Sequence, residues 1–249
     1  MVNYNPYQSP NSMSGSYPDG RMIAADASLS ARTMFIRRTY AVMGGAMLAF
    51  VALEALLLAV VPTETIVNLM MGSRWSWLLV LGAFMGVSWV ARSWAEGGTS
   101  PAMQYAGLGL YVAAEAVIFL PMMALAMRMD QNIPLAAGLV TLFVFGGLTL
   151  MVFVTKADFS WLGRYLWLAG IAAMIVIALS IFGVVGGAGF GMWFAAAMVI
   201  LASAYILYDT SNIQHHYHTD QHVAAALALF ASVALLLWYV IQIFMSSRE

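Results

Sequence analysis

Cysteine is absent from this 249-residue chain. That excludes a disulfide framework, a thiolate metal site and a cysteine nucleophile, and it leaves the redox compartment undetermined. Charge is nearly as scarce, since Asp, Glu, Lys and Arg together make up 8% of the residues. A soluble domain carries roughly 25%, so this chain has too few charges to cover a water-exposed surface. Ten Lys and Arg against eleven Asp and Glu leave a net charge of −1, with no basic stripe to recruit nucleic acid. Hydrolase signatures are missing as well: there is no G-x-S-x-G elbow, no H-E-x-x-H pair and no P-loop. An intramembrane aspartyl protease needs two carboxylates sharing a proton, and the last apolar run contains no acid. The chain reads as a non-enzyme with no cofactor and no metal site.

What remains is apolar. Hydrophobic residues make up 63% of the sequence and the mean hydropathy is +0.85, so the partner that surrounds it is a lipid bilayer. Seven runs approach the ~20 residues that a bilayer core requires: 39–61, 75–91, 102–127, 135–154, 165–185, 191–208 and 223–244. The expected fold is an all-α integral membrane protein, a seven-transmembrane helix bundle over residues 31–249. Residues 1–30 are rich in Asn, Ser, Pro, Gly and Tyr. Too few of them are apolar to offset the entropy of ordering, so they read as a disordered polar tail. They lack the basic, apolar and cleavage regions of a signal peptide. Breaks between runs fall at Pro62, Gly97-Gly98, Pro134 and Gly186-Gly187-Ala188-Gly189. Trp75, Trp77, Trp161 and Trp167 stand near run ends, as interfacial anchors do.

Orientation follows from the basic residues. Arg21, Arg32, Arg37, Arg38, Arg92, Lys156 and Arg164 fall on the N-terminal side, and Arg74, Arg128 and Arg248 on the other. Seven against three places the N-terminus in the cytoplasm. Gly82-x-x-x-Gly86 in the second run offers a small-residue face for close helix approach. Pro121 in the third should kink its helix or remove one backbone bond.

Three acids fall within or at the edge of the runs, namely Glu54, Glu115 and Asp209. A carboxylate in lipid is costly to desolvate and marks function or a structural partner. Asp209 ends the sixth run, where it either serves a site or simply marks where the helix meets water. Glu115 sits near the middle of the third run and should face the bundle interior. Glu54 lies in the outer half of the first run, where it either serves a site or snorkels toward the headgroups. Arg92 ends the second run level with Asp209, as a positive-inside anchor or as its partner. His215, His216, His218 and His222 follow Asp209 in a polar turn. Were that turn helical, His215, His218 and His222 would share a face suited to imidazole ligation, but a connecting turn is explained by a solvated polar loop, and a protonatable, pH-responsive loop at His215, His216 and His218 is favoured over a metal site.

Two stretches carry a resemblance. One is Phe145-Gly146-Gly147-Leu148-Thr149 followed by Thr155-Lys156-Ala157-Asp158-Phe159-Ser160-Trp161-Leu162-Gly163. The other is Tyr205-Ile206-Leu207-Tyr208-Asp209-Thr210, with Ala226-Leu227-Ala228-Leu229-Phe230 downstream. With seven runs in the right order, the chain resembles the Bax inhibitor-1 family, including its bacterial YccA-like members, over roughly residues 30–246. The resemblance implies a bundle whose last helix is central, surrounded by the other six. It also implies a pH-sensitive Ca²⁺ leak, here in a bacterial inner membrane. In such proteins the acid at Asp209 pairs with a second acid in the last span; here that place is held by Ser232, so the two-acid latch does not carry over. Arg92 resembles the family's basic residue that contacts the first acid, and Glu115 resembles the acid kept in the third span.

The expectation is therefore a cation leak gated near Asp209 and Arg92, passing Glu115, with Ser232 in place of the second acid. The alternative is a non-conducting regulator of a membrane protease or stress pathway, using the polar tail as a handle. Proton-coupled transport of a small solute is a third reading, since intramembrane acids also serve relays.

Overall fold

Apolar runs of this length satisfy their backbone in lipid only as helices, and in a computed structural model of the chain all seven do so. The structure describes residues 22–62, 64, 74–96, 99–186 and 189–248. The tail through Arg21, the Gly97-Gly98 break, Gly187-Ala188 and the side chains of Trp75 and Trp77 lie outside the described residues. In chain order the helices are α1 (Leu29–Val60), α2 (Arg74–Ala95), α3 (Pro101–Met129), α4 (Ile133–Thr155), α5 (Leu162–Ile181), α6 (Phe190–His215) and α7 (His222–Ser246). All seven are long and apolar enough to cross a membrane, and the chain is an integral membrane protein.

Local chemistry sets the helix ends. Ser28 caps α1, its hydroxyl accepting from the Ala31 N–H at 3.3 Å, so the helix begins well before the apolar run and carries Arg32, Arg37 and Arg38 on its first turns. Ser100 caps α3 and Pro101 occupies the first helical position, where its missing N–H costs nothing. Gly189, at φ 81°, supplies the left-handed residue from which α6 starts. Pro121 lies inside α3, which continues across it.

The core is built on α7. Ala225, Ala226, Leu227, Leu229 and Phe230 are all fully or nearly buried, and with Ser232 and Tyr239 they put buried residues over most of the helix circumference. Helices α1, α2, α3, α4 and α6 pack directly on it, whereas α5 rests chiefly on α6. The last helix is thus central, but α5 is an outer strut rather than a full member of the surrounding ring.

Two other sequence expectations are corrected here. Residues 22–30 are not part of a disordered tail. Ile23 bridges His218, the Ala24 N–H donates to the Tyr217 carbonyl at 2.8 Å, and the Thr219 N–H donates to Met22 at 3.2 Å, with Ala24 fully buried. The Met-Ile-Ala-Ala stretch is short, yet it is apolar enough to dock on a turn already fixed by two helices. Among the described residues no helix packs on the Gly82/Gly86 face, since a Cβ at either position would meet nothing within 4 Å. Close approach occurs instead at Gly107 of α3, where a Cβ would stand 2.5 Å from the Ala91 carbonyl oxygen and 3.0 Å from the Ala95 nitrogen of α2.

Because those neighbours are backbone atoms, Gly107→Ala must force α2 and α3 apart. The expected loss is about 1–3 kcal/mol of stability, measured as thermal unfolding in detergent. Gly82→Ala in the same assay should stay within about 0.5 kcal/mol of the wild type. Equal effects at the two positions would contradict the packing.

Candidate functional site

Asp209 does not mark where α6 meets water. The helix runs on through Thr210-Ser211-Asn212-Ile213-Gln214 to His215, with Thr210, Ser211, Ile213 and Gln214 all buried. Asp209 itself is 8% exposed. The sequence placed the end too early because apolarity stops at Tyr208, while helicity continues wherever neighbouring helices can cover polar side chains. The two tyrosines before Asp209 fix its helix to α5. The Tyr205 hydroxyl donates to the Leu166 carbonyl at 2.9 Å. Gly163 and Gly170 leave room for the Tyr208 ring and the Tyr205 hydroxyl, which a Cβ would approach to 2.8 and 2.9 Å.

With the tyrosines turned to α5, Asp209 faces α7. There the Ser232 hydroxyl, 6% exposed, donates to Asp209 Oδ2 at 2.5 Å. Ser232 thus stands where the resemblance puts a second acid, and it offers a neutral donor to the carboxylate. Hydrogen bonds to charged groups contribute about 1.5–3 kcal/mol, so this contact is a substantial α6–α7 tie in lipid.

Arg92 does not pair with Asp209. No ion pair joins the two, and the guanidinium lies 5.5 Å from the centroid of the Tyr111 ring, a cation–π contact. Its charge still acts through space on both Asp209 and Glu115. Glu115 is 7% exposed and faces the interior as expected. Tyr111 stands one helical turn back from it on α3, beside its carboxyl. Tyr111 therefore sits between the cation and the acid, and the sequence reading missed it; its only signal was the spacing of four from Glu115. Arg92 also lines a cleft of about 340 Å³ with Glu96, Tyr217, Gln221, Ala224 and Ala228. Ala228 lies one turn before Ser232, so the cleft ends about 6 Å short of the Asp209–Ser232 pair along α7.

Glu54 does not snorkel. It closes a buried stripe on α1 formed by Phe35, Thr39, Met43, Ala46 and Phe50, and it is 5% exposed with neither carboxyl oxygen hydrogen-bonded among the described residues. The stripe's spacing of three and four carries every member onto one helix face, so the depth of Glu54 in the membrane mattered less than its place in that pattern.

The histidines are divided among different partners. His215 Nδ1 lies 3.0 Å from the Ser211 carbonyl, His216 Nε2 lies 3.5 Å from Asp158 Oδ2, and His222 Nε2 lies 3.2 Å from the Tyr105 hydroxyl. His218 sits on the bridge to Ile23 and receives Gln221 Oε1 on its N–H at 3.1 Å. His215 and His222 end and begin different helices, so the shared face does not form. Among the described residues no group of three or more His, Asp or Glu is placed to hold a metal. The Asp158 contact belongs to a second tie. Ser211 of α6 accepts from the Phe159 N–H at 2.8 Å and donates to Asp158 Oδ1 at 3.3 Å, which seats the α4–α5 loop on α6.

Two outcomes follow from this geometry. Ser232→Ala should lower thermal stability in detergent by about 1–3 kcal/mol, since the carboxylate loses its donor, whereas Ser232→Thr should retain most of it. Parity of Ser232→Ala with the wild type would show that the hydroxyl is not holding Asp209. In the loop, the Ser160 N–H, with smaller help from the Ser160 side chain and from His216 and His215, holds the Asp158 carboxyl below its ordinary value. A lowered folded-state value gives stability that is full above the usual Asp value of about 4 and is lost as pH falls through the lowered one. Amide exchange at Phe159 and Ser160, corrected for intrinsic rates, should therefore accelerate in acid. Asp158→Asn should abolish that acid dependence.

Comparisons with known proteins agree with this architecture. Residues 32–249 match the family described as Inhibitor of apoptosis-promoting Bax1. Bax inhibitor 1 of Schizosaccharomyces pombe (strain 972 / ATCC 24843) is 33% identical over 114 residues, which cover 46% of this chain and 42% of that protein. An uncharacterised protein of Helicobacter pylori (strain ATCC 700392 / 26695) is 27% identical over 221 residues, 86% of this chain and 88% of that one. The family match spans all seven helices together with Arg92, Glu115, Asp209 and Ser232, and the chain belongs to the Bax inhibitor-1 family.

Proposed function

We propose that the chain is a pH-sensitive cation leak whose pathway enters by the Arg92 cleft, passes the Asp209–Ser232 pair and continues to Glu115, with Ca²⁺ as the ion. The observation that carries the reading is that Asp209 and Glu115 are buried carboxyls inside a bundle whose core is mainly apolar. Hard cations are held by oxygen ligands, and a few carboxyl and carbonyl oxygens make a weak site that releases its ion. In the closed form Arg92 lies over Tyr111 and Ser232 latches Asp209. In this reading the Arg92 end faces the cytoplasm of a bacterial inner membrane, following the excess of basic residues there. It assigns no catalysis and no cofactor.

A second reading, a non-conducting regulator of a membrane protease or stress pathway, is favoured by the same Ser232. A hydroxyl cannot share a proton between two acids, so the pH latch of a two-acid site is missing. Residues 22–24 dock on the α6–α7 turn, which would tie any partner of the preceding tail to the helix that holds Asp209.

The test is Ca²⁺ entry into liposomes holding the purified protein, over roughly pH 5–8. Entry above that of empty liposomes is expected for the wild type and for a chain lacking residues 1–21. Ser232→Asp puts two carboxyls on one hydrogen bond, which holds only while one of them is protonated. Its flux should gain a pH transition, falling on the acid side where the shared proton latches α6 to α7. Absence of flux at every pH in all three proteins would reject the leak in favour of the regulator.

A further inference from the structure

The aromatic side chains of the core form a continuous series that runs away from Arg92. The Tyr111 ring lies edge-on to Phe230 at 6.1 Å, Phe230 to Phe50 at 6.0 Å, Phe50 to Phe119 at 5.0 Å and Phe119 to Trp238 at 5.1 Å. Phe50, Phe119 and Phe230 come from α1, α3 and α7, and each is buried to within 2%. Together they make an apolar septum across the three helices at the centre of the bundle. Helices α1 and α3 run in the same direction, and the septum holds Phe50 and Phe119 at one level. Glu115 lies one turn before Phe119, and Glu54 lies one turn beyond Phe50. The two acids therefore stand on opposite sides of the rings, roughly 6 Å from them along the helix axes.

Glu54 is the member of this arrangement that nothing else accounts for. Its carboxyl is buried and neither oxygen has a hydrogen-bond partner among the described residues. Toward its own end of the bundle it is followed by apolar packing of Leu57, Leu58 and Val61 against Leu120 and Ala124. A carboxyl so placed is destabilising unless something polar or cationic reaches it in another state of the molecule. Fold alone gives no reason for it, since the stripe needs only an apolar residue at that position.

We propose that Glu54 is a second cation-binding carboxylate, separated from Glu115 by a hydrophobic gate made of the Phe50, Phe119 and Phe230 rings. The proposal rests on the leak reading and extends it: the pathway has two acid stations and closes by excluding water from the apolar constriction between them. The ligand is a hard divalent cation, with Ca²⁺ as the probe. The gate opens when the rings part, and that requires α1 or α3 to shift against α7.

The experiment reads the site without relying on flux. A hydrophobic carbodiimide converts protonated carboxyls in apolar surroundings to N-acylureas, and the adduct at Glu54 is quantified by peptide mass spectrometry in wild type and Phe50→Ala. Calcium at about ten times the dissociation constant of a weak site should lower modification of Glu54 roughly tenfold. Protection should develop faster in Phe50→Ala, with Phe50→Leu as the milder change if the alanine variant does not fold. Glu54 equally reactive with and without calcium, or unreactive in both proteins, overturns the site. Parallel liposomes separate the two readings: calcium protection without flux rejects the leak and keeps the site, whereas flux that Glu54→Gln leaves unchanged, with no protection, keeps the leak and rejects the site.

Discussion

A carboxylate inside a bilayer has no water to call on, so its partners must come from the protein itself. The bond from Ser232 to Asp209 answers that requirement with a single hydroxyl, and it does so between the two helices that pack most extensively on one another. The other intramembrane acids show the same requirement met to different degrees. Glu115 draws on Tyr111 and on the charge of Arg92, and Glu54 has no hydrogen-bond partner among the described residues. The series runs from latched to unpartnered along one direction of the bundle, which makes the interior polar at one end and strained by a bare acid toward the other.

Helix α7 is held at both ends as well as along its sides. At its start, the turn from His216 to Gln221 is pinned by Ile23 and Ala24, and Ser211 on the preceding helix anchors the α4–α5 loop beside it. At its finish, Arg248 forms an ion pair with Asp130, the residue that caps α3. Between these ends, contact with five helices leaves little freedom for α7 to slide. Movement in the bundle is easier for its neighbours, above all α5, whose main contact is with α6 through the tyrosines that precede Asp209.

The sequence made the seven helices legible because lipid permits so few alternatives, and hydrophobic length alone locates them. Glu115 and Arg92 were also readable, from their depth and from the family motifs. Local composition was a poorer guide wherever tertiary cover decided the outcome. The polar end of α6 was lost because Thr210, Ser211 and Gln214 look like a loop until other helices enclose them. Glu54 was read by its distance from the membrane edge, although the stripe Phe35-Thr39-Met43-Ala46-Phe50 already aimed it inward. The Arg92–Asp209 pairing failed for a different reason. Equal depth puts two side chains on one plane, but it does not say which neighbours stand between them, and here Tyr111 takes the guanidinium.

The central place of α7 carries a consequence for assembly. It follows the other six helices in the chain, so they leave the ribosome and enter the membrane before the helix that joins them. Until then, Glu54, Glu115 and Asp209 belong to a ring of helices with no axis, and Asp209 lacks its hydroxyl partner. Their shelter in that interval must come from water in an unfilled centre or from whatever machinery holds membrane segments before release. Arrival of α7 then completes the core, the α6 tie and the dock for Ile23 in one event, joining the start of the described chain to its last turn. The cooperativity of this fold is concentrated in its final segment, and the half-made protein is the state most exposed to quality control.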